Sequence, residues 1–273
     1  MKILVTGHRG YIGGKLFKQL TKQGHIVHGI DLKEGTDIIH DLPNTNYDYV
    51  FHLAAFPSVQ RSVEQPSNTF RNNAYATSKL LEWCKESGVK RFIFSSSSAV
   101  KGIGDGPISP YGMQKLISEQ ECKLYYELYG LDTVCLRYYN VYSEDQDYGG
   151  AYSTAICAWM HMIRKGQSLR LDGDGEQTRD FIHVDDIVSA NIFFMNHQKA
   201  FKGDCFDVGS GKSCSLNFVK KIVDQHHSVI WKKAPPRKAD VKHSKSDISG
   251  LLLLGWKPTV DIEDGLTRCF GNL

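Results

Sequence analysis

The sequence Gly-His-Arg-Gly-Tyr-Ile-Gly at residues 7–13 stands between a short apolar run, Lys2–Val5, and a segment of helical period, Tyr11–Lys22. Three glycines at this spacing suit a tight turn, a close approach of the backbone to a pyrophosphate, and close packing of helix on strand. The N-terminus of the helix adds backbone N–H groups and the positive end of its dipole. The stretch therefore predicts a dinucleotide-binding turn.

An acidic residue, Asp31, follows the next apolar run, Ile26–Ile30. A carboxylate there can accept hydrogen bonds from a ribose 2′-hydroxyl and would repel a 2′-phosphate, so we predict NAD rather than NADP as the cofactor. His8, Arg9 and Lys33 are nearby cations that would weaken this preference. We interpret them as solvated or as facing phosphate.

The alternation of strand and helix continues along the first half of the chain. Further apolar runs at Tyr49–Leu53, Arg91–Phe94 and Thr133–Arg137 alternate with helical patterns at Asn72–Lys85 and Pro110–Tyr129. Repeated right-handed crossovers of this kind build a parallel sheet that is covered on both faces. We therefore predict an α/β protein with a doubly wound parallel sheet of the Rossmann type.

Beyond about residue 140 the pattern becomes less regular and richer in turn residues. We predict an NAD-binding domain at residues 1–140, with returns to the sheet from residues 180–210. Residues 141–273 are expected to form mainly a smaller C-terminal lobe that binds the substrate.

Composition and charge exclude several classes of protein. The 33 Lys and Arg residues against 30 Asp and Glu give a formal charge of only +3, which is too weak and too evenly spread for a nucleic-acid-binding face. The most apolar short run, Leu251–Leu254, is far below the roughly 18 residues that a bilayer span needs. The chain opens without the apolar core of a signal peptide. Seven scattered cysteines lack C-x-x-C spacing, so we predict free thiols, no metal site and a cytoplasmic protein.

Serines and a Tyr–Lys pair form the candidate catalytic group. Ser95 to Ser98 close the fourth predicted strand, at the edge where open α/β sheets present their active sites. Tyr111 and Lys115 lie one turn apart at the start of the next helix. A phenol with a pKa of about 10 is a poor base at neutral pH, and a neighbouring ammonium favours its phenolate form. A serine hydroxyl can hold the substrate oxygen and share its proton.

With these motifs the chain resembles an extended short-chain dehydrogenase/reductase of the NAD-dependent epimerase/dehydratase family, close to the nucleotide-sugar 4-epimerases of the UDP-glucose and UDP-N-acetylglucosamine type. The similarity runs nearly end to end. It rests on TGHRGYIGG (6–14), HLAA (52–55), FIFSSSSAV (92–100), SPYGMQK (109–115), LRYYNVY (136–142) and GDGEQTRDFIHVDD (173–186).

The resemblance implies a role for each matching residue. Ser97 matches the catalytic hydroxyl, Tyr111 the base and Lys115 its partner. The implied cofactor contacts are Gly7, Gly10, Tyr11, Ile12, Gly13, Asp31, Leu32, Asp41, Leu42, Leu53, Ala54, Ala55, Asn73, Ser95, Tyr111, Lys115 and Tyr138. The implied contacts to a nucleotide-diphosphate sugar are Phe56, Ser97, Asn140, Arg179, Arg237 and Asp240. From spacing alone, Asp41 fits a simple turn aspartate equally well.

The implied reaction is 4-epimerisation by transient oxidation of the sugar C4 hydroxyl and re-reduction of the 4-keto intermediate. A dehydratase would carry Asp-Glu where this chain has Ser98 and Ala99. Two alternatives stay open, namely a 4-keto-sugar reductase and a non-catalytic NAD-binding regulator. The family also implies a homodimer through the helices at Asn73–Lys85 and Tyr111–Tyr129. The segment Asp31–Tyr49 is short for an extended member of the family, so we predict that one strand–helix unit is missing from it.

Overall fold

The computed structural model describes residues 1–149, 154–236 and 241–273, and its largest feature is a six-stranded sheet. The strand order is β10-β5-β4-β3-β1-β2, and the β1–β2, β1–β3, β3–β4 and β4–β5 pairs are parallel. The strands are β1 (Lys2–Thr6), β2 (Ile26–Ile30), β3 (Tyr49–His52), β4 (Arg91–Ser97), β5 (Thr133–Tyr138) and β10 (Asp204–Val208). The chain goes from β1 to β2 on one side and then to β3 on the other. This reversal is the topological switch point of a doubly wound sheet, so the predicted fold class is confirmed.

The helices that accompany this sheet begin and end at sequence signals. The first, α1, covers Tyr11–Lys22, as predicted. The helix α5 (Pro110–Tyr129) has Pro110 in its first turn and ends at Gly130, whose φ of 72° is the left-handed conformation that glycine adopts most readily. The remaining helices of this part are α2 (Val59–Glu64), α3 (Pro66–Phe70), α4 (Ala76–Glu86) and α7 (Val184–Asn196).

The predicted helix at Asn72–Lys85 is longer and less regular in the structure. It starts at α3, where Pro66 occupies the first turn, and passes through a wide π-type turn at Arg71–Tyr75 before α4. A wide turn of this kind is rare and occurs often at functional sites. It shifts the helical periodicity, which is why the pattern predicted only the C-terminal part.

The segment between β2 and β3 is short in structure as well as in sequence. It contains a single 3₁₀ turn, Leu32–Glu34, and irregular chain up to residue 48. As a result β3 pairs directly with β1.

The described chain forms two compact units, of which the first is Met1–Tyr138 with Val188–Phe206 and the second is Tyr139–Ile187 with Asp207–Leu273. The second unit has its own core, built around buried side chains such as Trp159, Phe181 and Phe270. Its remaining strands are β6 (Asn140–Tyr142), β7 (Leu169–Asp172), β8 (Thr178–Arg179), β9 (Phe181–His183), β11 (Cys214–Ser215) and β12 (Trp231–Ala234). Its remaining helices are α6 (Ala155–Arg164), α8 (Leu216–His226), α9 (Ser249–Leu254) and α10 (Ile262–Gly271). None of the helices in the described ranges combines the length and the apolar character that a bilayer span needs.

Candidate active site

The glycine-rich turn lies at the switch point between β1 and β3. Gly7 has a φ of 74°, and a side chain on it would place Cβ 2.6 Å from the backbone nitrogen of Ala54, which follows β3. A Cβ on Gly13 would lie 2.2 Å from the carbonyl oxygen of Gly7. Both positions therefore require glycine, because larger residues would separate the turn from α1 and from Leu53–Ala55.

The N-terminus of α1 has the chemistry of an anion site. Within the described chain no side chain caps it, and its first turn carries no acidic residue. Gly10 donates its N–H to the Gly7 carbonyl at 2.9 Å and leads into Tyr11 and Ile12. A helix N-terminus beside a glycine cradle fits the pyrophosphate of a dinucleotide.

Asp31 lies beside this turn, at the end of β2. One carboxylate oxygen accepts the backbone N–H of Arg9 at 2.8 Å, and the other accepts that of Lys33 at 2.9 Å. These bonds hold the carboxylate in place while each oxygen keeps a further lone pair for a ribose hydroxyl. Leu32, the next residue, is exposed. The predicted adenosine position is thus compatible with NAD.

Asp41 has a local role in the structure. Its carboxylate accepts the backbone N–H of Asp37 at 2.7 Å, and its own N–H donates to the Asp37 carbonyl at the same distance. This is the turn geometry that the spacing allowed as an alternative. The neighbouring Leu42 is half-buried and packs against the core.

A buried hydrogen-bond chain connects β1, β3 and the wide helical turn through His52. The Thr77 hydroxyl donates to the Asn73 carbonyl at 2.6 Å, so it accepts from His52 Nε2 at 2.9 Å. His52 Nδ1 then accepts from the Thr6 hydroxyl at 2.7 Å. This chain assigns the proton to Nε2 and keeps the ring neutral. Burial, with a smaller contribution from the Lys115 charge, lowers the pKa of His52 to about 3.

Asn73 connects the loop after β3 with α5. Its side-chain oxygen accepts the Phe56 N–H at 2.8 Å, and its amide donates to the Phe56 carbonyl at 3.2 Å and to Gln114 Oε1 at 2.8 Å. Gln114 in turn donates to the Thr69 hydroxyl at 3.0 Å. The Arg61 guanidinium lies over the Phe56 ring, 4.2 Å from its centroid. The sequence motif did not indicate the role of Gln114, which ties the Tyr–Lys helix to its neighbours.

Tyr111 and Ser97 form the centre of the candidate site. The Ser97 hydroxyl lies near the phenol and lowers the pKa of Tyr111 against the larger effect of burial, and it accepts the backbone N–H of Ala99 at 3.2 Å. Ser97 therefore has its own proton to donate to the phenol oxygen. Tyr138 is the neighbour of Ser97 in the β4–β5 register and donates its hydroxyl to Asn191 at 3.0 Å.

Gly112 allows Tyr111 to reach Ser97. A Cβ at this position would lie 2.5 Å from the carbonyl oxygen of Ala99, so the N-terminus of α5 packs directly on the turn that follows β4. Ser109 caps the helix by accepting the Gly112 N–H at 3.1 Å, and buried Ser62 accepts the Tyr111 N–H at 3.1 Å. The sequence analysis missed Gly112 and Ser62. A glycine inside a helical pattern is a signal for close backbone approach, whereas nothing in the sequence points to Ser62.

Lys115 is 2% exposed and donates its ammonium to the Ser95 carbonyl at 2.7 Å, above the Phe94 ring. Burial lowers its pKa to about 8, and the charge of Glu119 opposes this effect. Burial also raises the pKa of Tyr111 to about 12, against the effect of Ser97. Desolvation of the phenol is thus the largest influence on the pKa of Tyr111 in the protein alone.

A second polar cluster lies one turn further along α5. The fully buried Glu119 carboxylate accepts the Ser96 hydroxyl at 2.5 Å and two bonds from Arg137, at 2.9 and 2.6 Å. The cluster neutralises Glu119 and fixes β4, β5 and α5 relative to each other behind Ser95 and Ser97. It was not predicted, because the partners are distant in sequence.

In the second unit Asn140 bonds to Asp180, the residue after Arg179, whose guanidinium donates to the Thr178 carbonyl at 2.9 Å. Asn140 donates its backbone and side-chain N–H groups to the Asp180 carbonyl at 3.1 and 2.9 Å. The buried Asp180 carboxylate accepts the hydroxyls of Ser210 and Ser246 at 2.7 and 2.5 Å. Two further predicted substrate contacts, Arg237 and Asp240, lie outside the described residues.

Comparison with known proteins identifies the family. A model of the NAD dependent epimerase/dehydratase family matches residues 3–209. The UDP-glucuronate 4-epimerase of Thermodesulfobacterium geofontis (strain OPF15) is 31% identical over 312 residues, which cover 97% of this chain and 94% of that protein.

Two solved structures have the same fold over almost the whole chain. The UDP-N-acetylglucosamine 4-epimerase from Methanobrevibacter ruminantium M1, in complex with UDP-N-acetylmuramic acid, gives a TM-score of 0.91 at 34% identity, covering 99% of this chain and 97% of that one. The UDP-glucuronic acid 4-epimerase from Bacillus cereus, in complex with UDP-glucuronic acid and NAD, gives a TM-score of 0.87 at 30% identity. The match covers 99% of this chain and 98% of that one.

These similarities extend over both units and agree with the glycine turn and the Ser–Tyr–Lys group in the first. They confirm the predictions of an enzyme of the epimerase type and of NAD as its cofactor. The chain belongs to the NAD-dependent epimerase/dehydratase family.

Proposed function

We propose that this protein is an NAD-dependent 4-epimerase whose substrate is a UDP-sugar. The observation that carries the proposal is the grouping of Ser97 with Tyr111, which the packing of Gly112 on Ala99 allows, and of buried Lys115 one helical turn further on. A hydroxyl and a phenol at the end of a central strand form a proton-transfer pair suited to a sugar hydroxyl. The relatives named above carry the same reaction in their names, which supports the choice of substrate class.

The cofactor would be held by the first unit. The glycine turn and the first turn of α1 would take its pyrophosphate, and Asp31 would take the adenosine ribose. The loop Leu53–Ala55, the carboxamide of Asn73, the Ser95 carbonyl, Tyr138 and the Lys115 ammonium would line its path. Bound NAD supplies a reversible acceptor for the hydride from the sugar carbon.

Tyr111 moves the proton of the reaction. As the sugar C4 hydroxyl is oxidised, the phenolate oxygen of Tyr111 takes its proton while Ser97 holds the same sugar oxygen. In the second half of the reaction the resulting phenol returns the proton to the oxygen of the 4-keto sugar. Because burial raises the pKa of Tyr111 to about 12, the phenolate that starts the reaction depends on the Ser97 hydroxyl and the Lys115 ammonium.

Lys115 stabilises the charge that develops on Tyr111. Its ammonium is anchored on the Ser95 carbonyl and shielded from water by the Phe94 ring, so it acts in a low-dielectric environment. A cation there lowers the free energy of a phenolate more than the same cation in water would. The bond to Ser95 also holds its position when the site is empty.

We assign the nucleotide-diphosphate sugar to the second unit. Arg179 is half-buried, and a guanidinium pairs with phosphate oxygens in bidentate fashion. Asn140 offers an amide beside it on the same Asp180 scaffold. The family resemblance implies that Arg237, Asp240 and Phe56 also contact the substrate.

We also propose a cytoplasmic homodimer. Leu124, Leu128 and Tyr129 on α5, together with Tyr75 before α4, are exposed although large and apolar, as expected for a face that a second copy covers. All seven cysteines are free thiols, which suits a reducing compartment. Light scattering on the wild type and on a Leu128→Glu variant tests the dimer. A wild-type monomer at micromolar concentration would refute it.

The experiment that tests the function uses purified protein without added cofactor. The protein is incubated with UDP-glucose, UDP-glucuronic acid and UDP-N-acetylglucosamine separately, and the 4-epimers are quantified by chromatography. We expect one or more substrates to reach an epimer mixture, and Tyr111→Phe to abolish the conversion while its bound NAD is retained. Stoichiometric oxidation of NADPH without epimer formation would establish a reductase instead. Bound NAD with no turnover of any substrate would establish a regulator.

A further inference from the structure

We infer that Glu34 is a specificity-determining residue for the cofactor, because it keeps Arg9 from binding a 2′-phosphate. The inference rests on the proposed function, in which the first unit holds NAD. Glu34 is a different residue from Asp31, which is the predicted ligand of the ribose. Glu34 closes the 3₁₀ turn that follows Asp31.

Arg9 lies where a 2′-phosphate would need a cation. Its backbone N–H donates to Asp31 at 2.8 Å, so it borders the carboxylate that would face the ribose 2′-hydroxyl. In dinucleotide-binding folds an arginine near this position accommodates the extra phosphate of NADP. With a side chain that is 59% exposed, Arg9 has the freedom to turn toward such a group.

Glu34 holds that guanidinium in another direction. One of its carboxylate oxygens pairs with both Nε and Nη2 of Arg9. The other carboxylate oxygen lies 3.0 Å from His8 Nε2. A single carboxylate therefore engages the Arg9 guanidinium and the His8 imidazole of the glycine turn.

The backbone fixes this arrangement. Asp31 accepts the backbone N–H of Arg9 at 2.8 Å and the Lys33 ammonium donates to the Arg9 carbonyl at 3.1 Å, so the turn and the glycine loop are joined at two points. The His8 ring occupies space that exists because residue 29 is glycine, where a Cβ would lie 2.2 Å from the ring. Glu34 can thus reach both partners without strain in the chain.

The consequence is a second negative charge beside the ribose position. A 2′-phosphate carries about −1.5 to −2 at neutral pH, so it would meet Asp31 and Glu34 while its natural partner is already paired. NAD carries no such group and is indifferent to Glu34. Arg9, one of the residues that would weaken the preference for NAD, is in this way kept from binding a 2′-phosphate.

The test measures cofactor binding rather than turnover. Wild type and Glu34→Gln are equilibrated with equal concentrations of NAD and NADP, and the bound nucleotides are released and quantified by mass spectrometry. Direct titration of each cofactor gives the separate dissociation constants. We expect Glu34→Gln to raise the bound NADP-to-NAD ratio about two- to fivefold, because an exposed pair of this kind is worth up to about that factor. The Kd for NAD should change less than twofold.

Two further variants make the result specific. In Arg9→Gln/Glu34→Gln the gain in NADP binding should vanish, since the freed guanidinium is its cause. Glu82→Gln removes an exposed ion pair with Lys79 on α4 and should leave the ratio unchanged. A ratio unaltered by Glu34→Gln, or a gain that survives without Arg9, would overturn the inference. Absence of NAD binding to the wild type would instead refute the proposed function.

Discussion

The close backbone approach of Gly112 to Ala99, beside Tyr111 and Ser97, makes a sharp prediction. A Cβ at residue 112 would lie 2.5 Å from the Ala99 carbonyl oxygen, whereas ordinary contact begins at 3.4 Å. Alanine therefore pushes the N-terminus of α5 about 0.9 Å from the turn after β4. Tyr111 moves with the helix and Ser97 with the turn, so the two hydroxyl groups move apart by a similar distance.

Typical magnitudes give the expected effect of this displacement on the catalytic rate and on stability. A shift of about 1 Å in a catalytic group reduces the rate on the order of 10²-fold. Overpacking of a closed site costs roughly 1–3 kcal/mol, against a gain of up to about 1 kcal/mol from replacing glycine inside a helix. Gly112→Ala should therefore lose about 10²-fold in kcat and a modest amount of stability, while retaining NAD.

The assay is the epimer-forming rate at saturating substrate together with thermal unfolding. Gly271→Ala is the matched control, because residue 271 ends α10 and a Cβ there meets nothing closer than 3.5 Å. The control should keep full activity and unfold at an unchanged or slightly higher temperature. Full activity in Gly112→Ala would refute the claim that this contact positions Tyr111.

Three other predictions concern ionisation and proton transfer. Tyr111→Phe should lower kcat by at least about 10²-fold, as expected for loss of an acid–base group, without releasing NAD, and a Phe variant of comparable rate would contradict the mechanism. Because burial lowers the pKa of Lys115 from 10.5 to about 8, the folded state bears a cost below pH 8 that disappears above pH 10.5. The unfolding free energy of wild type relative to Lys115→Met should rise by about 3 kcal/mol over that window, measured by urea unfolding. The pKa of His52 is lowered from 6.5 to about 3, so its stability contribution is complete above pH 6.5 and falls on acidification. Wild type should lose about 2 kcal/mol between pH 7.5 and 5 that His52→Gln does not lose, and parallel pH profiles would show that His52 titrates normally.

The sequence predicted the features that depend on local pattern. The glycine turn, α1, α5 and the strands that precede them follow from periodicity and from residues such as Pro110 and Gly130 that begin and end helices. The wide turn at Arg71–Tyr75 did not follow, because an extra residue in a helical turn changes the phase of the pattern without a composition signal. These predictions succeeded because each depends on residues that lie close together in the sequence.

The same distinction between local and long-range contacts applies to the candidate site. Tyr111 and Lys115 are four residues apart on one helix, so their proximity was predictable. The Ser96–Glu119–Arg137 cluster and the Thr6–His52–Thr77 chain join residues from different strands and helices, and only the folded structure brings them together. The raised pKa of Tyr111 could not be predicted, because spacing reveals the neighbouring charge and not the desolvation of the phenol.

The most direct test of the central claim follows the hydrogen at sugar C4. A UDP-sugar deuterated at C4 is incubated with the protein in ordinary water without added cofactor, and the epimer is analysed by mass spectrometry and NMR. Because the hydride leaves and returns within one bound complex, the product should keep its deuterium at C4 with inverted configuration. An epimer that has lost the label to solvent would contradict the account.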